Sequence, residues 1–185
     1  MDLRDAHPSL PADLNAVLRL RDESPEELKD VLYEMGYRWI EPGYTPILLD
    51  PASYMSEAQR ADPSIAAGIR ATDAVFAHIQ FLVEDEDDNL YGYWFGPERV
   101  NLLDAPIVKY DNEGQFSLLQ GRGLVEALIG DRVFDDHEAF AEHAERFNEL
   151  GIEIAARRWH DLADPQAATA PEELSMSLMK QFDAT

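Results

Sequence analysis

The chain has 185 residues, no cysteine, 45% hydrophobic residues and a formal net charge of −22. That length and apolar fraction are those of one ordinary domain with a continuous core, and they exclude a disordered acidic chain. The absence of cysteine excludes disulfides, thiolate zinc sites and a cysteine nucleophile, and it fits a cytoplasmic protein.

Thirty-seven acidic residues face fifteen basic ones, only three of them lysine. Such a surface repels phosphate backbones and anionic lipid, so neither nucleic acid nor a membrane is expected as a direct partner. The opening MDLRDAHPSL has no apolar run, and no segment approaches the roughly 18 apolar residues needed to span a bilayer. A basic protein is the partner the charge would attract. Solubility or a salt-rich habitat is the other account of the same charge.

Leu10-Pro11-Ala12-Asp13 opens a first helix that sets Leu14, Val17 and Leu18 on one face. Ser24-Pro25-Glu26-Glu27 reads as a capping box for a second, with Leu28, Val31, Leu32 and Met35 inward and Gly36 as its stop. Residues 37–62, with prolines at 42, 46 and 51, are expected to pack irregularly, and a short helix is predicted around 64–70. Val75 to Val83 alternates as a strand, with Val75, Ala77, Ile79, Phe81 and Val83 on one face. An acidic turn, Glu84-Asp85-Glu86-Asp87-Asp88, leads into a second strand from Leu90 to Gly96. Ile107–Tyr110 and Gln115–Leu119 make another hairpin, with Gly114 in its turn.

Helical sequence resumes at Leu124 and again from Asp135 to Leu150, closed by Gly151. In that last helix Phe140, Ala144, Phe147 and Leu150 share a face, opposite Glu138, Glu142, Glu145 and Glu149. The glutamates are a solvated face or a docking surface for a basic partner. A short helix around Arg157–Leu162 and a final one after Pro171, with Leu174, Leu178 and Phe182, complete a single domain over residues 1–185. The sheet occupies about 74–120, and the class is α+β: an antiparallel or mixed central sheet flanked by N-terminal and C-terminal helices.

A calcium-loop frame starting at Asp87 puts Asn89, Gly92 and Glu98 at suitable positions. It fails at Tyr91 and lacks flanking helices, so a hairpin turn is the better account. Gly121-Arg-Gly123 lacks the third glycine of a dinucleotide fingerprint. His7, His78, His137, His143 and His160 are scattered, and His137 and His143, six apart, fall on different sides of one helix. No spacing selects a metal site, a cofactor or a catalytic pair, and no catalytic residue is assigned. Tyr91, Tyr93 and Phe95 share one strand face and Trp94 the other; they are core residues or the anchors of a binding face.

Several segments resemble the SUKH superfamily, which holds immunity proteins of bacterial polymorphic toxin systems and yeast cell-wall synthesis regulators. They are Leu10-Pro11-x-Asp13, the strand–acidic turn–strand unit with Gly92-Tyr93-Trp94, and Ala105-Pro-Ile-Val-Lys-Tyr-Asp111-Asn-Glu-Gly114 followed by a strand and the 124–128 helix. Residues 74–130 carry most of the likeness. The resemblance implies an α+β fold and a non-enzymatic function, binding and neutralising a basic partner such as a toxin nuclease. The contacts expected for it are Glu84, Asp85, Glu86, Asp87, Asp88, Tyr91, Tyr93, Trp94, Glu98, Asp111 and Glu113. Two rivals stand beside it: a small hydrolase with a carboxylate pair, and an acidic, cation-binding or salt-adapted protein without a specific macromolecular partner.

Overall fold

The computed structural model describes residues 3–183. The helices are α1 (Leu3–Ala6), α2 (Ala12–Glu23), α3 (Pro25–Glu34), α4 (Pro51–Tyr54), α5 (Glu57–Ala61), α6 (Pro63–Phe76), α7 (Leu124–Val133), α8 (His137–Glu149) and α9 (Pro171–Asp183). Ile47–Leu49 and Trp159–Asp161 are 3-10 turns. The strands β1 (Tyr37–Trp39), β2 (Ile79–Asp85), β3 (Leu90–Trp94), β4 (Ile107–Tyr110) and β5 (Phe116–Leu118) form one antiparallel meander in chain order. The fold is α+β.

The sheet has a core on each face. Val83, Tyr91, Tyr93 and Ile107 face α2, α3, α7 and α8, whose Leu14, Leu18, Leu32, Leu128, Phe140 and Phe147 fill the larger core. Leu90, Trp94, Val108, Tyr110 and Phe116 face α6 and α9 through Val75, Phe76, Leu174 and Leu178. A strand covered on both sides has no solvent face, so every residue of β3 is buried.

The expected helices at Leu10–Asp13, Pro25, Leu124, Asp135 and Pro171 all form, with Gly36 and Gly151 at positive φ where α3 and α8 stop. The Ser24 box does not. Ser24 makes no side-chain cap, and its N–H, which a capping box would offer to Glu27, bonds to Leu20 O at 2.7 Å, so it closes α2 as well as starting α3. A capping box forms instead at Ser56 and Gln59, at the head of α5.

The expected strand at 75–83 is two elements. Asp62 accepts from the Ser64 and Ile65 N–H groups, Pro63 fits the first helical position, and the alanine-rich stretch beyond carries α6 through to Phe76. Ala67, Ala71 and Val75 are its buried stripe. Within β2 a bulge between Phe81 and Val83 sends both Leu82 and Val83 to the larger core, so Phe81 and Val83 lie on opposite faces. Gly92 sits across from that bulge, where any Cβ would collide with the Gln80 carbonyl. Residues 37–39, expected to be irregular, pair with Val83–Asp85 as the sheet's edge. The helix expected at 157–162 is only a 3-10 turn.

Candidate functional site

The two hairpin turns, between β2 and β3 and between β4 and β5, have the same construction. Asp85 Oδ1 accepts the N–H groups of Asp87 and Asn89, each at 2.9 Å, and Asp88 takes a positive φ of 66°. Asp111 Oδ1 accepts those of Glu113 and Gln115 at 3.0 and 2.8 Å, and Gly114 takes a φ of 84°. Each aspartate thus supplies its own turn with an acceptor two and four residues on. The turns are fastened together. Asn112 N–H donates to Asn89 Oδ1 at 2.9 Å, and Asn112 Nδ2 to Asp87 O at 3.0 Å.

This construction divides the eleven expected contacts. Glu86, Asp87 and Glu113 are exposed, and Asp88 and Asp111 are half-buried, all at one end of the sheet. Glu84 and Asp85 belong to β2 and not to the turn; they are 0% and 9% exposed. Glu84 is roofed by Arg38, at 3.1 and 3.0 Å, and by the Tyr44 hydroxyl. Tyr91, Tyr93 and Trp94, expected as exposed anchors, are core residues because helices cover both faces of β3. Glu98 is exposed but stands at the opposite end, beyond β3, where it accepts from Thr169 Oγ1 at 2.7 Å. That hydrogen bond holds its carboxyl below the usual glutamate value.

Beneath the turns lies a buried polar cluster. Asp85 Oδ2 accepts from Asn89 Nδ2 and from the Tyr91 hydroxyl, both at 2.8 Å, so four donors converge on this one carboxylate. The Tyr91 oxygen is also 2.8 Å from Asp131 Oδ2, which Lys109 Nζ approaches at 2.9 Å. One hydroxyl proton therefore faces two carboxylate oxygens, and the Lys109 ammonium, 5.4 Å from the Tyr91 ring centre, offsets the charge. Tyr37 packs edge-on against Tyr91 and donates to Leu128 O at 3.0 Å. Burial, then the neighbouring Tyr37, Asp131 and Asp85, raises the Tyr91 hydroxyl far above the ordinary tyrosine value. The cluster brings two carboxylates together, but the lone pairs of Asp85 are spent on the turn and on Tyr91.

Above it opens a groove of about 430 Å³ lined by Tyr33, Glu34, Gly36, Arg38, Glu86, Asp88 and Arg132. Arg132 spans it to Glu86 at 3.0 Å. A second depression of about 530 Å³, lined by Glu34, Glu142, His143, Glu145, Arg146 and Glu149, shares Glu34 with the first. The depression beside the acidic turn and the one along the glutamate face of α8 adjoin at Glu34, the last residue of α3. Carboxylates outnumber guanidiniums along this path, and Tyr33, 79% exposed, stands at its rim.

Tyr33 and Glu34 were not among the expected contacts. The signal was present: Tyr33 falls off the Leu28, Val31, Leu32, Met35 stripe of its helix, which puts a large aromatic ring in solvent. A cavity of about 630 Å³ lies at the far end near His7, His78, Phe95, Arg99 and Asp104, and Asp104 is the one carboxylate among its described lining residues.

The other motifs resolve structurally. The calcium frame is split, with Asn89 and Tyr91 buried in the hairpin and Glu98 at the far end of β3. The N-terminus of α7, after Gly121-Arg-Gly123, is already capped by the Asp13 carboxylate, which occupies the place a phosphate would take. No helix of the described residues is long and apolar enough to cross a membrane. The chain matches no family model, no curated protein and no solved structure.

Proposed function

We propose that this chain is a binding protein of the immunity type, which docks a basic protein along the groove running from the acidic turn to α8. The observation that carries this reading is that the two depressions adjoin at Glu34, a residue lining both, with Tyr33 exposed at the rim of the first. A long acidic path steers a cationic partner and sets its orientation, while an exposed tyrosine supplies the anchor that most interface energy needs. The resemblance to SUKH immunity proteins supplies the partner class, a toxin such as a nuclease, whose phosphate-binding surface is basic. The acidic turn contributes Glu86 and Asp88 to the lining of this groove, with Asp87, Asp111 and Glu113 at the same end of the sheet outside it, and the buried Glu84 and Asp85 lie at the end of β2.

The rival hydrolase reading has its best seat in Asp85 and Asp131, which converge on Tyr91. It requires a carboxylate free to take a proton from water, and Asp131 is the one member not already holding a turn.

The test is capture from a lysate of the native host at low and moderate salt, with the wild-type chain and a Glu34→Lys/Glu86→Lys/Glu145→Lys variant immobilised in parallel. One basic protein retained at both salts by the wild type and lost by the variant supports the reading. A spread of basic proteins released together by moderate salt would identify a generic polyanion and defeat it.

A further inference from the structure

At the N-terminal end of α8, Asp135 and His137 meet His160, which a later segment brings in. Asp136 caps α8, accepting the N–H groups of Glu138 and Ala139 at 3.0 Å each, and so fixes His137 as the first helical residue. The residue before it, Asp135, takes a φ of 65°, a conformation that aspartate tolerates better than most residues. Its carboxylate stands 3.5 Å from His160 Nδ1. His160 belongs to the 3-10 turn, held in place by Trp159, whose Nε1 donates to Gly130 O at 3.1 Å and whose ring packs edge-on against Phe134. The His137 and His160 rings lie 4.8 Å apart between centres at 68°. One ligand atom from each of the three residues falls within 4.8 Å of the others.

We propose that Asp135, His137 and His160 form a binding site for a divalent transition-metal ion of the zinc class. Two imidazoles and one carboxylate are the donors such ions prefer, whereas calcium and magnesium take oxygen ligands almost exclusively. Ligands on a tetrahedral zinc stand about 3.4 Å apart, given metal–ligand distances of about 2.0–2.2 Å. All three side chains are exposed, so turning them toward an ion does not require core packing to change. Three protein ligands leave a fourth position to solvent. The ion clamps the α7–α8 turn to the Trp159–Asp161 turn, adding to the contacts that Trp159 makes with Phe134 and Gly130. The chain's negative charge raises the local concentration of any cation, so selectivity over magnesium is the property that distinguishes a site from the surface.

The experiment is calorimetric titration of the chelator-treated chain with zinc chloride at neutral pH in excess magnesium, for the wild type and for His137→Ala, His160→Ala and His143→Ala. The expected result is one saturable site per chain. It should weaken by more than about tenfold in the first two variants, since even outer partners of a metal ligand usually cost that much, and be unchanged in the third. Proton NMR of the wild type keeps the result independent of variant folding, because the imidazole signals of His137 and His160 should move with zinc while that of His143 stays. No saturable binding, or binding that survives both alanine variants, or unmoved His137 and His160 signals, would overturn the site.

Discussion

The Asp13 carboxylate, in the first turn of α2, accepts the backbone N–H of Val125, in the first turn of α7, at 3.2 Å. The cap position of α7 is Gly123, which has no side chain to offer, so the acceptor comes from another helix far away in the chain. Gly123 is what allows it, because a methyl group there would run into the Asp13 carboxylate. Glu126, one turn into α7 and buried, accepts from the Arg122, Ala155 and Ala156 N–H groups at 2.9, 3.0 and 3.0 Å. Two carboxylates, the half-buried Asp13 and the buried Glu126, therefore tie α2 and the 152–156 segment to one helix end.

Gly123→Ala is expected to destabilise the chain by about 1–3 kcal/mol, the usual cost of forcing an extra carbon into a packed site. Asp13→Ala should cost about 0.5–2 kcal/mol as a lost cap. In the Asp13→Ala background the glycine substitution loses the group it clashes with and should cost much less. Urea denaturation of both single variants and the double variant measures the coupling. Additive losses would mean that Gly123 is needed for some other reason.

The same contact has a pH signature. Burial, reinforced by the nearby Glu126, raises the Asp13 carboxyl above its ordinary value in spite of the N–H groups that favour the charged form. Between the unfolded and the raised folded value the native state holds more protons, so this group's contribution to stability falls as pH rises through that window. Asp13→Asn keeps an acceptor and removes the titration. Its melting temperature relative to wild type should therefore climb from acid pH towards neutral and then level off. A flat difference, or one that falls with pH, would show that the charged form is the one the site favours.

Asp85 and Asp111 build the same turn in different surroundings, and burial should separate them. Asp85→Ala strips four donors of their acceptor at a 9%-exposed site, and is expected to cost at least about 3 kcal/mol, since hydrogen bonds to charged groups run about 1.5–3 kcal/mol each. Asp111→Ala frees two N–H groups that water can reach, and about 0.5–1.5 kcal/mol is expected. Chemical denaturation of the two variants checks this directly. Equal losses would mean that turn geometry alone, and not the buried cluster under Asp85, sets the cost.

That pair also shows where sequence reasoning stops. Both hairpins were legible, because Gly114 and the acidic run mark turns and the flanking apolar residues mark strands. The division of the acidic run was not, since five consecutive carboxylates look alike until β1 pairs with β2 and buries Glu84 and Asp85 against Arg38 and Tyr91. The 75–83 alternation misleads for a related reason: Val75 belongs to the stripe of α6 that recurs every four residues at Ala67, Ala71 and Val75, and the bulge after Phe81 inverts the faces beyond it. The faces of the aromatic strand are legible from alternation alone, with Tyr91 and Tyr93 on one and Trp94 on the other. Its burial follows from α6 and α9 closing the second face, a long-range event that no local pattern encodes.

The docking groove makes a kinetic prediction that separates its two components. Exposed charges on a path such as Glu34, Glu142 and Glu145 act mainly before contact, by steering the partner, and their effect is screened by salt. Reversing two of them should slow association with a basic partner by about tenfold or more at low salt, within the range electrostatic steering spans, and change dissociation little. Tyr33 acts after contact. Removing its ring, as Tyr33→Ala, should leave association nearly unchanged and speed dissociation, with the loss of about 2 kcal/mol or more that marks a hot spot. Tyr33 packs little in the free chain, so its substitution should not move the melting temperature. Surface plasmon resonance over a salt series resolves the two effects. If charge reversal altered dissociation and Tyr33→Ala altered neither rate, the partner would be bound somewhere other than this groove.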